Sequence, residues 1–192
     1  MPDETINASN NPMVPSTTNI SGDQYNVSGN LIVNQITGLI RKSPSFLIAR
    51  SKEYYSLFVL KKNTLIASEF SLDCKICLSM CCCNESSSWI NLDESSIATL
   101  LTFPCIFAEI NESTNNPSIN QVAYVGYLES ITKQNESIVF KFAVCKEMPQ
   151  FIIKDNFDAF GINYAPLRSE LDKPHWAIKK HNLIQTISDL NL

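Results

Sequence analysis

The hydrophobic pattern is clearest in Gln121–Cys145, where two apolar runs flank a polar break at Lys133–Glu136. We interpret Val122–Ile131 and Ser137–Cys145 as the strands of a β-hairpin. Both faces of these strands are largely apolar, which predicts either the middle of a covered sheet or the wall of a small closed barrel. Gly126, in mid-strand, indicates a sharp bend or a close approach of ligand or backbone.

Further strands are predicted on either side of this hairpin. Tyr54–Leu60 and Thr64–Phe70 flank the turn residues Lys61–Asn63, so a second hairpin is expected there. The C-terminal segment allows two interpretations, a single helix from Pro174 or a strand over His175–Lys180 followed by a helix. The alternation of apolar and polar residues after His175 favours the second.

Helix signals occur at three places. Capping residues precede the apolar run in Asn91–Leu101. Met148–Phe160 has apolar residues near helical spacing and is followed by Gly161, a typical helix stop. Asn182 is a strong N-cap for a terminal helix. The polar stretch Asn111–Asn120 is expected to be the longest surface loop, and loops of this kind often bind ligands or partners.

These elements predict an α+β fold for residues 39–192, as a single domain. We expect a small, mostly antiparallel β-barrel or a strongly curved sheet, covered by two or three helices. Residues 1–38 are rich in Asn and Ser and poor in large apolar side chains. Too little burial is available there to offset the entropy of ordering, so a flexible tail is expected.

Within this tail, residues 22–38 alternate apolar and polar positions between glycines and carry one charged residue, Asp23. The alternating apolar residues are Tyr25, Val27, Leu31 and Val33. The segment resembles the Gly- and Asn-punctuated β motifs at the termini of bacterial immune and signalling proteins, some of which template amyloid-like assembly. Low charge and Asn ladders suit such stacking. The alternative is that Asn30–Ile36 forms an edge strand of the main domain.

The composition and the net charge indicate where in the cell the protein is expected and which partners it is expected to bind. The formal net charge of −4 gives no broad attraction to nucleic acid or to an anionic membrane. The N-terminal residues lack the basic and apolar regions of a secretory signal, and no apolar run approaches about 20 residues. A cytoplasmic protein without membrane contact is therefore expected. A reducing compartment would keep the seven cysteines mostly as free thiols.

Five of these cysteines lie within residues 74–83. Cys74 and Cys77 form a C-x-x-C pair, and Cys81 could supply a third thiolate for zinc. The spacing matches no standard zinc site, and both histidines lie far along the chain. Buried cysteines that act as small apolar side chains are the favoured interpretation. No cofactor is predicted.

The C-terminal half carries a family resemblance. Phe103–Ala108, Gln121–Gly126 and Pro174–Ile184 resemble segments of uncharacterised cytosolic bacterial proteins associated with defence or signalling loci. The resemblance covers about residues 101–190. Strands around a Gly-bearing hairpin, followed by a terminal Trp, are also similar to compact barrels of the pseudouridine-synthase-associated (PUA) type. That similarity implies binding of RNA or modified bases.

The first functional hypothesis is a non-enzymatic recognition or sensor module of a bacterial defence or signalling system. It would bind a protein partner, and residues 22–38 would add self-association into oligomers.

The second hypothesis is nucleic-acid or nucleotide binding by the β core. Trp176 would stack on a base, while His175, Lys179 and Lys180 would contact phosphate. Gly126 and Tyr124 would lie at the rim of the same site. The alternative is that Trp176 belongs to the core and the lysines form an ordinary solvated edge.

An enzyme is the third and least favoured hypothesis. His175 with Glu170 or Asp172 is the one local acid–base arrangement on offer. Cys105 or Cys145 with His175 would give a thiol nucleophile, but both cysteines lie inside apolar strands that disfavour a thiolate. No catalytic residue is predicted.

Overall fold

The computed structural model describes residues 42–43, 47, 50–65, 67–78, 89, 91–165 and 168–192. The predicted tail, its assembly residues Tyr25, Val27, Leu31 and Val33, and the predicted zinc ligand Cys81 lie outside these ranges. The α+β class is confirmed. None of the helices among the described residues is long and apolar enough to cross a membrane.

The described part of the chain contains eight strands, four α-helices and two 3-10 turns. The strands are β1 (Tyr55–Leu60), β2 (Glu69–Asp73), β3 (Pro104–Glu109), β4 (Val122–Gln134), β5 (Ser137–Pro149), β6 (Tyr164–Ala165), β7 (Arg168–Ser169) and β8 (His175–Lys179). The helices are α1 (Glu94–Leu100), α2 (Gln150–Asp155), α3 (Phe157–Phe160) and α4 (Leu183–Asp189), and the 3-10 turns are Cys74–Ile76 and Glu170–Asp172.

Six strands form one mixed sheet in the order β2-β5-β4-β3-β1-β8, and β6 pairs with β7 separately. β1 and β3 are parallel, whereas the other neighbours in the large sheet are antiparallel. Of the two predicted forms, a barrel or a strongly curved sheet, the closed barrel is wrong. In the described residues the edge strands β2 and β8 share no ladder, and a single bridge joins Cys77 to Trp176.

The large sheet is nevertheless strongly curved. A flat sheet would hold β5 and β8 about 19 Å apart, because neighbouring strands are spaced by about 4.8 Å. The ring centroids of Phe140 on β5 and Trp176 on β8 are 5.0 Å apart. Side chains from distant strands therefore meet across the concave side.

The predicted hairpin is confirmed as β4 and β5, which pair from Val122 to Gln134. Asn135, in the turn, has a left-handed backbone with φ of 49°. The register shifts between Val125 and Gly126, and a Cβ on Gly126 would lie 2.0 Å from the backbone oxygen of Ala143. The absence of a side chain at Gly126 is thus explained by a close approach of backbone.

The predicted second hairpin is wrong. β1 pairs with β3 and β8, while β2 pairs with β5 at the other edge of the sheet. All six residues of β1 are buried, and such a strand needs covered faces and partners on both sides. β2 alternates buried and exposed residues, which suits its edge position. The local pattern found β1, but the predicted strand Thr64–Phe70 shares only Glu69 and Phe70 with β2, and the partners of both strands were missed.

Two clusters of side chains cover the two faces of the sheet. The aromatic face is concave and is defined here by Phe58, Phe70, Phe107, Phe140, Phe142 and Trp176. The helix-covered face is mainly aliphatic and includes Leu57, Val59, Ile106, Val125, Ile153, Phe157, Phe160 and Leu183. Helices α2 to α4 pack on the second face only.

The helix boundaries follow from local chemistry. The Asp93 carboxylate accepts from the Ser96 amide at 2.7 Å and caps α1, and the Asn182 side chain accepts from the Gln185 amide at the start of α4. The single helix predicted for Met148–Phe160 is instead two short ones, α2 and α3. Asn156 separates them with φ of −134°, outside the helical range. Gly161 ends α3 with φ of 62°, as predicted.

Candidate interaction site

The loop between β3 and β4 is braced from inside by Gln121. The Gln121 side-chain oxygen accepts hydrogen bonds from the amides of Glu112 and Ser118, at 3.1 and 2.8 Å. Its side-chain nitrogen donates to the Ile110 carbonyl at 2.7 Å. Gln121 is buried, so these bonds are shielded from water. One side chain thus joins both ends of the loop.

A second buried amide, Gln150 at the start of α2, fixes this loop to the helices. Its side-chain nitrogen donates to the Glu109 carbonyl at 2.7 Å and to the Asn111 side-chain oxygen at 3.0 Å. Further along the loop, the Lys154 ammonium donates to the Asn116 side chain at 2.9 Å. The loop and α2 therefore form one connected unit.

Asp172 ties the same loop to the 3-10 turn after β7. Its carboxylate accepts from the Asn111 side chain and from the backbone amides of Asn115 and Ser169, each at 2.8 Å. Burial alone would raise the pKa of this carboxyl. The three donors outweigh burial and hold the pKa of Asp172 below its ordinary value.

Large apolar side chains are exposed on this braced unit and beside it. Ile119, in the loop, is 81% exposed, Tyr164 on β6 is 54% exposed, and Phe151 on α2 is 39% exposed. The exposed carboxylates Asp155 and Asp158 follow Phe151 along the helices. We call these five residues the interaction face. Tyr164 stacks on Phe157, with ring centroids 5.3 Å apart, which fixes the ring against α3.

Two shallow depressions flank α3. One, of about 370 Å³, is lined by residues that include Asp155, Phe157, Asp158 and Tyr164. The other, of about 390 Å³, lies between Ala159 and α4 and is lined by His181 and Thr186 among others. Both are open to solvent, and the first coincides with part of the interaction face.

A buried ion pair joins β8 to the 3-10 turn after β7. The Lys179 ammonium donates to the Glu170 carboxylate, and the two side chains are 1% and 2% exposed. Glu170 also accepts from the backbone amide and the side chain of Asn163, at 3.0 and 3.3 Å. Extra donors of this kind are what a buried carboxylate needs to remain charged.

His175 lies on the same strand face as Lys179 and is also buried. Its Nδ1 is 2.9 Å from the Lys173 carbonyl, so Nδ1 carries the proton and donates. Nε2 is buried without a hydrogen-bond partner in the described part of the chain. Burial lowers the pKa of His175, against the Lys173 carbonyl and the Glu170 charge, which raise it. The ring is accordingly held neutral.

The structure separates the residues that we predicted to bind a nucleotide. Trp176 is fully buried on the aromatic face and stacks on Phe58, with centroids 5.5 Å apart. His175 and Lys179 point to the opposite, helix-covered face, because alternate residues of a strand face opposite sides. A base could stack on Trp176 only after Phe58 had moved, and a phosphate would have to displace Glu170 from Lys179.

The remaining predicted site residues occupy different surroundings. Lys180 is exposed, with its ammonium 5.7 Å from the centroid of the Tyr54 ring. Tyr124 is buried on the aromatic face, and Gly126 lies under the β5 backbone. Cys74 and Cys77 are half-buried free thiols at the 3-10 turn after β2. Among the described residues no group of three His, Cys, Asp or Glu side chains is arranged to hold a metal ion.

No protein-family model matches this chain, and no curated protein or solved structure matches it significantly.

The sequence pattern did not predict most of this candidate site. It identified the Asn111–Asn120 loop but not Phe151, Tyr164 or the bracing amides. One signal was present, because Ile119 is the single large apolar residue of that polar loop. Nothing in the pattern marks Gln121 and Gln150, whose roles depend on contacts between distant segments.

Proposed function

We propose that the chain is a non-enzymatic recognition module of a bacterial defence or signalling system, and that it docks a protein partner on the interaction face. The observation that carries this proposal is Ile119, an almost fully exposed apolar side chain on a loop braced by buried amides. A braced loop loses little conformational freedom on binding, which favours affinity. The bacterial context rests on the sequence resemblance of residues 101–190.

The chemistry of the interaction face suggests what the partner presents. Apolar side chains from Ile119, Phe151 and Tyr164 would pack against apolar groups, as in the core of many protein interfaces. Asp155 and Asp158 would favour basic side chains at the rim, where charges mainly affect the rate of association. We therefore propose a partner segment that combines apolar and basic residues.

Self-association through residues 22–38 is the second part of the proposal. Tyr25, Val27, Leu31 and Val33 would stack between copies and bring several recognition domains together. The support is the low charge and the alternating apolar pattern of this segment. Linked copies would bind a repetitive partner more tightly than one copy alone.

Site-specific photocrosslinking tests partner docking. A benzophenone residue replaces Ile119 in the full-length chain in its bacterial host, and Lys133, exposed at the far end of β4, serves as the matched control position. We expect a discrete crosslinked product from position 119 that is absent at position 133. The product should disappear with Phe151→Ser. Identical products at the two positions, or one that is insensitive to Phe151→Ser, would refute docking at this face.

Sedimentation velocity tests self-association separately. The full chain should form oligomers that are lost when Val27 and Val33 are both replaced by Asp, because stacked carboxylates repel. Replacing Asn10 and Asn11 by Asp adds the same charge outside the motif and should leave the oligomers intact. If neither pair of substitutions changes the oligomer size, the proposal that residues 22–38 drive assembly is wrong.

A further inference from the structure

Cys74 begins the 3-10 turn that follows β2, and Cys77 is the first residue after it. The Asp73 carboxylate accepts from the Lys75 amide at 2.8 Å and caps the turn. The Cys77 amide donates to the Cys74 carbonyl at 3.2 Å and closes it. The backbone thus fixes the two cysteines relative to each other.

This geometry suits a disulfide. Residues i and i+3 of a 3-10 helix are eclipsed, and the rise over three residues is about 6 Å. Disulfides join Cα atoms that are about 4.4–6.8 Å apart. Cys74 and Cys77 therefore need little backbone movement to form a bond between their sulfur atoms.

The surroundings of Cys77 disfavour its thiolate. Both side chains are half-buried, so solutes can reach them. Burial raises the pKa of Cys77 to about 12, and negative charge on Cys74 and Asp73 adds to the effect. The Cys77 thiol also donates to the Asp73 carbonyl at 3.3 Å. Cys77 is thus held as the neutral thiol, and we assign the first attack to Cys74. Once Cys74 is in a mixed disulfide it carries no charge, and one obstacle to ionising Cys77 is gone.

We propose that Cys74 and Cys77 are a reversible dithiol–disulfide pair that exchanges with a small disulfide such as glutathione disulfide. The Cys74 thiolate attacks one sulfur of the small disulfide and releases one thiol, which leaves a mixed disulfide at Cys74. The Cys77 thiolate then attacks the Cys74 sulfur and releases the second thiol. Two protein thiols are oxidised and one disulfide is reduced to two thiols, so atoms and electrons balance.

The position of the pair gives the bond a structural consequence. Cys77 forms the bridge to Trp176, and the next residue, Leu78, donates its amide to the Trp176 carbonyl at 2.7 Å. These contacts connect the end of β2 to β8, the two edges of the curved sheet. Oxidation would lock the turn from which this connection is made. The inference does not depend on partner docking.

Peptide mapping of the full chain tests the proposal. The protein is incubated with glutathione disulfide, its remaining thiols are alkylated, and trypsin cuts after Lys75, between the two cysteines. We expect the peptide that ends at Lys75 to remain joined to the peptide that begins at Ile76. Alkylation of Cys74 should be lost, and dithiothreitol should restore it.

A matched series of variants assigns the partner of Cys74. The joined peptides should persist in a background with C81S, C82S and C83S, and they should disappear when C77S or C77A is added to it. Full alkylation of Cys74 in excess glutathione disulfide would overturn the proposal. So would joined peptides that survive both substitutions of Cys77. An unchanged circular dichroism spectrum shows that each variant is folded.

Discussion

The two faces of the large sheet solve the problem of burial in different ways. On the aromatic face, rings from five strands pack against one another. Phe58 lies at the centre of these contacts, because its ring touches those of Phe70, Phe107, Phe140 and Trp176. On the helix-covered face the packing is mainly aliphatic, and ionisable or polar groups are buried at its margin. Tyr55, for example, donates its hydroxyl to the Phe160 carbonyl at 2.7 Å.

The difference shows where polar chemistry can be buried in this fold. Loops beside the helix-covered face supply the Lys173 carbonyl to His175 and the Asn163 amide to Glu170. Glu170 in turn pairs with Lys179. The aromatic face offers few partners, and Trp176 Nε1 is buried there without one in the described part of the chain. Both the interaction face and the buried charges accordingly lie on the side of the helices.

The largest effect is expected from Phe58→Ala, which should destabilise the fold by about 4–5 kcal/mol because it opens a cavity among four rings. Urea unfolding followed by tryptophan fluorescence measures this loss. Phe151→Ala removes the same atoms from a side chain that is 39% exposed and should cost less, about 1–2 kcal/mol. Similar losses in the two variants would mean that the aromatic face is not the main source of stability.

The next largest loss of stability is expected from a substitution on the helix-covered face. Glu170→Gln should cost about 3 kcal/mol, since it leaves the buried Lys179 ammonium without its counter-charge. Lys62→Gln breaks the exposed pair with Glu112 and should leave the urea midpoint unchanged.

The double variant Glu170→Leu, Lys179→Met sharpens this contrast between burial and charge. It should recover most of the lost stability, because no buried charge remains. If the double variant were as unstable as Glu170→Gln, packing rather than charge would explain the loss.

An intermediate effect is expected where the backbones of β4 and β5 approach each other. Gly126→Ala should destabilise by about 2–3 kcal/mol, because the new methyl group meets a backbone oxygen that cannot turn away. Gly161→Ala also strains the chain, through its positive φ, but its nearest neighbours lie at 3.4 Å, and about 1 kcal/mol is expected. Thermal unfolding of both variants shows which substitution costs more stability. A smaller loss for Gly126→Ala would contradict the close approach.

The smallest effect is a pH dependence that comes from His175. Its folded pKa lies below the ordinary value of 6.5, so the unfolded chain binds a proton first as the pH falls. The contribution of His175 to the free energy of unfolding should therefore be constant above pH 6.5 and should decrease below that pH. Urea midpoints at about pH 7.5 and about pH 5.5 measure the decrease. His175→Gln should reduce the decrease, whereas an equal decrease in the original protein and in this variant would exclude His175 as its source.

Local pattern was enough to predict the elements that depend on neighbouring residues. The β4–β5 hairpin, the cap at Asp93, the helix stop at Gly161 and the final strand and helix are all encoded within short windows. Strand partners are not encoded in this way. β1 lies between β3 and β8, which come much later in the chain, so the second hairpin was a reasonable but wrong prediction.

The nucleotide-binding hypothesis grouped side chains that the fold separates. His175, Trp176 and Lys179 are close in sequence, yet strand alternation sends Trp176 to one face and the other two to the opposite face. That separation could have been deduced from the predicted strand itself. The partner of Lys179 could not, because Glu170 reaches it only after the 3-10 turn at Glu170–Asp172 and β8 have packed together.

The order of strands in the sheet also has a consequence for synthesis on the ribosome. β1 is made first among the six, but its neighbour β3 follows about fifty residues later and β8 later still. Until then Phe58 has neither Phe107 nor Trp176 to cover it. A nascent chain stalled before β8 would expose an apolar surface and an unpaired strand edge, the features that recruit chaperones and promote aggregation.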